Sequence, residues 1–340
     1  MKDGAAVDAI SARLGIEPLE DLRPGVRQWR YRAQRLVPIF GVWVALFLFT
    51  IVAGVLEPTL LSGSNITLLL RQASIVGLLA IGQTIVMLTG GIDLSVGSVL
   101  AVVNWVSTSL LVGSDRLDVP VILLCLGIGA GVGLINGLGI TVFRVPPLVM
   151  TLGMLFAVQA AGLMYTGGIT KGEASPFLLH IGRGFAGPIP IAFLVLLGVA
   201  LAAQLLLSWT SFGRKIYAIG VNPRAARLSG LGVERTLVLA YVICGVTAAM
   251  GGLMLSGYIG IGDNTSGQGA ELDAIAAVVI GGTALAGGRG SVIGTIGGVL
   301  LLALLYNLLV IMNIAQSGRL MLQGAVIIVA AAVYGRSLRR

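Results

Sequence analysis

Charge is what this 340-residue chain has least of. Asp, Glu, Lys and Arg make up 11% of it, against about 25% in an ordinary soluble domain. With 56% hydrophobic residues and a mean hydropathy of +0.99, this excludes a water-soluble fold: so much apolar side chain needs a bilayer. Two cysteines, Cys125 and Cys244, lie in separate apolar runs without metal-ligand spacing, and read as buried inert thiols. The one histidine, His180, is expected in a loop, with no Cys or carboxylate cluster around it. No metal site and no catalytic set follow from these residues. The phosphate-cradling string GxxxxGK[ST] is absent, so no ATP site is expected in this chain. No basic face is interleaved with aromatics, which excludes a nucleic-acid partner.

What is present is apolar length. A spanning helix needs about 20 mostly apolar residues. That length predicts an all-α polytopic membrane protein of about ten helices, near 37–56, 66–89, 94–113, 120–142, 146–166, 189–208, 237–258, 271–287, 291–312 and 319–335. The polar arm 1–36 precedes a transmembrane domain 37–335, and a tail 336–340 follows it. The first apolar run begins near Val37, is too long for a signal-peptide core, and has no small-residue cleavage site after it. With both termini cytoplasmic, 17 of the 22 Lys and Arg fall on the inner side, as the positive-inside rule requires. The net charge of +8 is then a matter of topology.

Asp93 stands alone among apolar residues in LTGGIDLSVGSVLAV, 88–102. Gly90 and Gly91 suit a helix C-terminus, and Asp93 or Ser95 suits acceptance from the N–H groups opening the next helix. That reading makes Asp93 a partly wet cap at the inner membrane face. An ion-coupling role and a conformational role are the alternatives. Only Arg71 lies clearly inside a span, close enough to the outer surface to snorkel. An ion-driven carrier often needs a midplane ionisable group, and none is visible, although unwound carbonyls can hold sodium. Scattered amides give a second theme. Gln83, Asn104, Asn136 and Asn307 are either interhelical hydrogen-bonding groups or a path for a neutral polar solute. Small residues four apart, Gly129-Gly133-Gly137 and Gly290-Gly294-Gly298, predict close backbone approach. LAGGRGSVIGTIGGV at 285–299 is similar to the Asp93 stretch, as an internal duplication would be.

The cytoplasmic loop 209–236 contains GRKIYAIGVNPRAARLSG, 213–230. Asn222 is a good N-cap, Pro223 fits the first helical position, and Gly230 can stop the helix. A free helix of about two turns would not persist, so it needs the protein or a partner to pack against.

Here the sequence resembles the membrane permeases of ribose-type ABC importers. The resemblance rests on LRQASIVGLLAIGQTIVMLTGGIDLSVGS (70–98), GLINGLGITVFRVPPLVMTLGM (133–154), the 213–230 stretch and ELDAIAAVVIGGTALAGGRGSVIGT (271–295), and covers about residues 60–315. It implies a vitamin B12-importer-like permease in the bacterial inner membrane, translocating a sugar or similar neutral solute by alternating access. A cytoplasmic ABC ATPase uses the ATP, a periplasmic or lipid-anchored binding protein delivers the solute, and a second permease copy completes the path. No cofactor is bound by this chain. The ATPase-coupling set is then Gly213, Arg214, Asn222, Pro223, Arg224, Ala225, Ala226, Arg227, Ser229 and Gly230. The outer loops 167–188 and 259–272 would face the binding protein. Glu271 and Asp273 would either contact it or favour a helix N-terminus. The competing classes are a stand-alone ion-coupled carrier or channel, and an intramembrane enzyme. The enzyme would need a paired nucleophile, aspartates or metal ligands, which Asp93 and His180 do not provide.

Overall fold

In a bilayer every backbone polar group must be satisfied within the protein, and the apolar runs do this as helices. The structure, a computed structural model, describes residues 24–169, 172–263 and 266–315 and isolated positions as far as 325, with side chains from Phe40 onward. The helices are α1 (Pro24–Leu56), α2 (Gly63–Leu88), α3 (Val96–Leu111), α4 (Asp118–Thr141), α5 (Pro147–Thr166) and α6 (Pro176–Arg183). They continue as α7 (Ile191–Trp209), α8 (Ser211–Val221), α9 (Pro223–Leu228), α10 (Val233–Ile259), α11 (Ala270–Ile280) and α12 (Val292–Ile311). Side-chain caps start several of them: Ser175 accepts from Leu178 N, Thr210 from Gly213 N and Ser291 from Gly294 N.

Six of the described helices are long and apolar enough to cross a membrane, and Phe40–Leu56 and Val96–Leu111 are shorter apolar helices. The helical fold carries a small antiparallel hairpin, β1 (Phe185–Ala186) with β2 (Ile189–Pro190). Two expectations are corrected. His180 lies in α6, not in a loop. The expected span 271–287 is the 11-residue α11 followed by an irregular segment, because Gly282, Gly287 and Gly288 adopt left-handed φ. Helix α1 runs unbroken through the expected arm boundary at 36–37. Residues 1–23, the tail 336–340 and most of the expected span 319–335 lie outside the described residues.

Helix α10 is the hub, packed on α2, α3, α4 and α6, with α12 and α11 closing the far side of α2. Its contact with α4 is made through bare backbone. A Cβ at Gly129 would overlap the Gly245 carbonyl, one at Gly133 would overlap the Tyr241 carbonyl, and one at Gly137 would meet Val238 Cα at 2.7 Å. Gly133→Leu is therefore expected to force the helices apart, at a cost of about 1–3 kcal/mol or more. Thermal unfolding in detergent checks this. Gly131→Leu, where a Cβ meets nothing within 4 Å, is expected to match the wild type.

Arg71 reaches the segment at the end of α6, in the expected outer loop. Its guanidinium lies 4.8 Å from the Phe185 ring centroid and donates to the Arg183 carbonyl. Arg183 in turn donates to the Tyr258 carbonyl at 2.8 Å and the Ile259 carbonyl at 2.5 Å. The charge is held by carbonyl dipoles and a π face within the protein.

Candidate coupling surface and transport cavity

Helix α9 has the ends its sequence specifies. Asn222 Oδ1 accepts from Arg224 N and Ala225 N, both at 3.0 Å, Pro223 occupies the first turn, and Gly230 turns the chain at φ +77°. Six residues hold together because Ala226 packs with Ile219 and Val233 in a small apolar cluster. Arg224, Ala225, Ser229 and Gly230 are exposed, and Arg227 pairs with Glu234 at 2.6 Å. Gly213 is buried in α8, and Arg214 is exposed there. Sequence reasoning missed Val221 and Leu228, which are 74% and 90% exposed and place apolar surface beside the arginines.

Helix α8 backs this surface and touches both glycine-rich breaks at once. A Cβ at Gly220 would overlap the Leu88 carbonyl and would come within 3.0 Å of Gly288 Cα. Gly288 N donates to that same Leu88 carbonyl at 2.9 Å, and Tyr217 Oη donates to the Gly290 carbonyl at 2.9 Å. Gly287 packs on Gly90, so the two breaks that resemble each other in sequence also lie against each other.

Gly90 ends α2 with φ +84°, as a left-handed terminator should, and Gly91 fits beneath the Tyr241 hydroxyl. The chain then runs back between the helices. Asp93 sits beside Gln83, about 7.5 Å along α2 from its end at Leu88. The expectation of a partly wet Asp93 at the membrane edge is corrected: it is 1% exposed. Its Oδ1 accepts from Ser95 N at 2.8 Å, Ser95 Oγ at 2.6 Å and Asn136 Nδ2 at 3.5 Å. The Gln83 amide, oriented to satisfy both groups, donates to the Asp93 carbonyl at 3.0 Å and accepts from Asp93 N at 3.2 Å. Donors from Ser95, just before α3, and from Asn136 on α4 thus offset the cost of burying the carboxylate, while Gln83 on α2 holds the Asp93 backbone.

Asn136 and Asn104 are likewise engaged inside the fold. Asn136 also donates to Ser95 Oγ at 2.9 Å. Asn104 donates to Ser256 Oγ and the Ile261 carbonyl and accepts from Asp263 N at 2.9 Å, tying α3 to the segment after α10. Asn307 is 5% exposed on α12. Gln83, Asn104 and Asn136 thus make hydrogen bonds between segments of the fold, while the buried Asn307 Nδ2 has no hydrogen-bond partner among the described residues.

An open cavity lies elsewhere. After α10, Trp105 Nε1 donates to the Asp263 carbonyl at 2.7 Å, and Gly267 packs on Gly97 and Ala101. The segment therefore descends beside α3, and α11 starts against the second residue of α3. Glu271 rests directly on Gly97, where a Cβ would overlap Oε2. Tyr306 Oη donates to Asp273 Oδ1 at 3.0 Å. Glu271 thus lies against the first turn of α3, while Asp273 faces α12. Between α3, α5 and this segment is a cavity of about 230 Å³, with Ser98, Trp105, Gln159, Gln268 and Glu271 in its wall. A wider cleft of about 560 Å³ on the α9 side lies between Arg144, Arg227 and Glu234.

Residues 65–331 match the family described as branched-chain amino acid transport system, permease component. The chain is 40% identical over 302 residues to the ribose import permease protein of Bacillus subtilis, covering 87% of this chain and 91% of the relative. It is 35% identical to the ribose import permease protein of Escherichia coli K12, covering 85% and 91%. It is 32% identical to the galactose/methyl galactoside import permease protein of Haemophilus influenzae, covering 84% and 92%. No solved structure matches the chain.

Proposed function

We propose, for a chain that belongs to the ABC-importer permease family, that the α8–α9 surface seats a separate ATPase subunit and that α8 passes its motion to the two glycine-rich breaks. The protein is a multi-pass plasma-membrane permease component of a sugar importer. It performs no catalysis, and ATP is hydrolysed by its partner. Its relatives carry ribose, galactose and fructose, so the solute class is the monosaccharides. Both termini cytoplasmic, delivery by a binding protein, and a second copy of this chain across the path complete the reading. Helix α5 has room for that second copy, since only 17% of its apolar window is buried within the chain.

One observation carries the mechanism. A capped helix exposing Arg224 and Leu228 is mounted on α8, and α8 contacts the ends of α2 and of the 286–290 segment simultaneously. ATP binding closes the ATPase pair, the two coupling surfaces move with it, and the helices that start at the breaks, α3 and α12, reorient. The cavity beside α3 then opens alternately to either side. Hydrolysis resets it.

The test is co-purification with the ATPase encoded beside this chain. The wild type is expected to retain the ATPase. Arg224→Glu places an acid on the coupling surface without touching the Arg227–Glu234 pair, and is expected to weaken retention about tenfold or more. Undiminished retention by the folded variant would move the docking site off α9.

A further inference from the structure

We propose that the cavity between α3, α5 and the start of α11 is a solute subsite within the permease, and that Glu271 grips adjacent hydroxyl groups of a neutral monosaccharide there. This rests on the import reading and adds a selective step inside the membrane, beyond selection by a delivering protein.

The cavity of about 230 Å³ is suited in size to a small solute rather than a drug-sized one. Its wall has the chemistry a polyol needs. The Glu271 carboxylate accepts strongly from hydroxyl groups, Gln159 and Gln268 both donate and accept, and Ser98 adds a hydroxyl. Trp105, 2% exposed, closes part of the wall with apolar surface. Its indole nitrogen is tied to the Asp263 carbonyl at 2.7 Å, and a Cβ at Gly162 on α5 would overlap the ring, so the ring is locked in place. Among the described residues no Lys or Arg lines the cavity, and Glu271 repels an acidic solute.

Two further observations point the same way. Glu271 occupies its place because Gly97 has no side chain. Helix α11, 11 residues long, is an interrupted apolar segment that begins inside the fold, the arrangement by which transporters expose polar groups to a solute at depth. The solute would meet side chains on α3 and α11, which flank the two breaks, so the movement of the breaks changes the grip.

The experiment uses proteoliposomes holding the full chain with its ATPase, and a saturating binding protein loaded with radiolabelled D-ribose, D-fructose or D-galactose. Uptake and ATPase stimulation are read together. Glu271→Gln is expected to cut uptake about tenfold while leaving stimulation within about twofold of wild type. Glu271→Asp is expected to recover part of the uptake. Gln159→Leu, on a different helix, is expected to reduce uptake with the same split. Normal uptake in both Glu271→Gln and Gln159→Leu overturns the subsite. Uptake and stimulation falling in parallel also overturns it, since Glu271 would then belong to the moving framework. A wild type that carries none of the three sugars on ATP overturns the monosaccharide reading itself, and the subsite with it.

Discussion

Replacing Gly220 by leucine will abolish ATP-driven uptake while leaving the ATPase bound. The effect follows from what surrounds that position. Gly220 faces the backbone of Leu88 and Gly288, and Gly288 N is already committed to the Leu88 carbonyl at 2.9 Å. A side chain there cannot be accommodated by a rotamer change, because backbone stands in its way. It must lever α8 off both breaks. Overpacking of this kind costs about 1–3 kcal/mol in an ordinary core, where side chains can yield, and more where they cannot. Helix α9 keeps its own cap and its apolar cluster, so the docking surface survives. The expected result is retention of the ATPase on co-purification with uptake reduced about a hundredfold. Gly220→Ala is expected to fall between. Normal uptake by Gly220→Leu would mean that α8 does not carry the motion.

The second large effect is expected at Asp93. Asp93→Ala removes the acceptor of Ser95 N and of the Ser95 hydroxyl inside the fold, each at a cost of about 1–3 kcal/mol, and leaves Asn136 Nδ2 with Ser95 Oγ alone. Little folded protein should survive extraction, judged by size-exclusion profile and thermal unfolding. Asp93→Asn keeps a carbonyl oxygen for the same donors and removes the charge. It is expected to fold and to transport at close to the wild-type rate, because Asp93 serves here as an acceptor that shapes the break. A folded Asp93→Asn that has lost uptake would instead mean that the charge is used, as in an ion-coupled carrier.

These two positions differ in how readily the sequence reveals them. The N-cap, Pro and Gly around α9 are local signals, each acting within four residues, and they specify the helix wherever the chain goes. The long apolar runs are equally direct, since bilayer thickness sets their length. Depth is another matter. The stretch after Gly269 is apolar enough to resemble a span, yet it begins against Gly97 and ends at Gly281, because the preceding segment descends beside α3. Those contacts join residues about 160 positions apart, and no periodicity encodes them. The amides are ambiguous in the sequence for the same reason. Asn136 and Asn104 look identical to path-lining groups until Ser95 and Asp263 are seen opposite them. Gln159 carries no stronger mark in the sequence, and Glu271 reads there as a binding-protein contact or a helix-terminus charge; the structure brings both to the wall of one cavity.

The α8–α9 surface has value only if the energy for transport enters there. The measurement that tests this most directly is sugar uptake into proteoliposomes containing this chain, with its ATPase either present or withheld, under imposed sodium or proton gradients or none. Uptake that requires the ATPase and ATP, is indifferent to the gradients, and disappears in Arg224→Glu is the predicted result. Uptake by the chain alone, driven by a gradient or running downhill, would contradict the account.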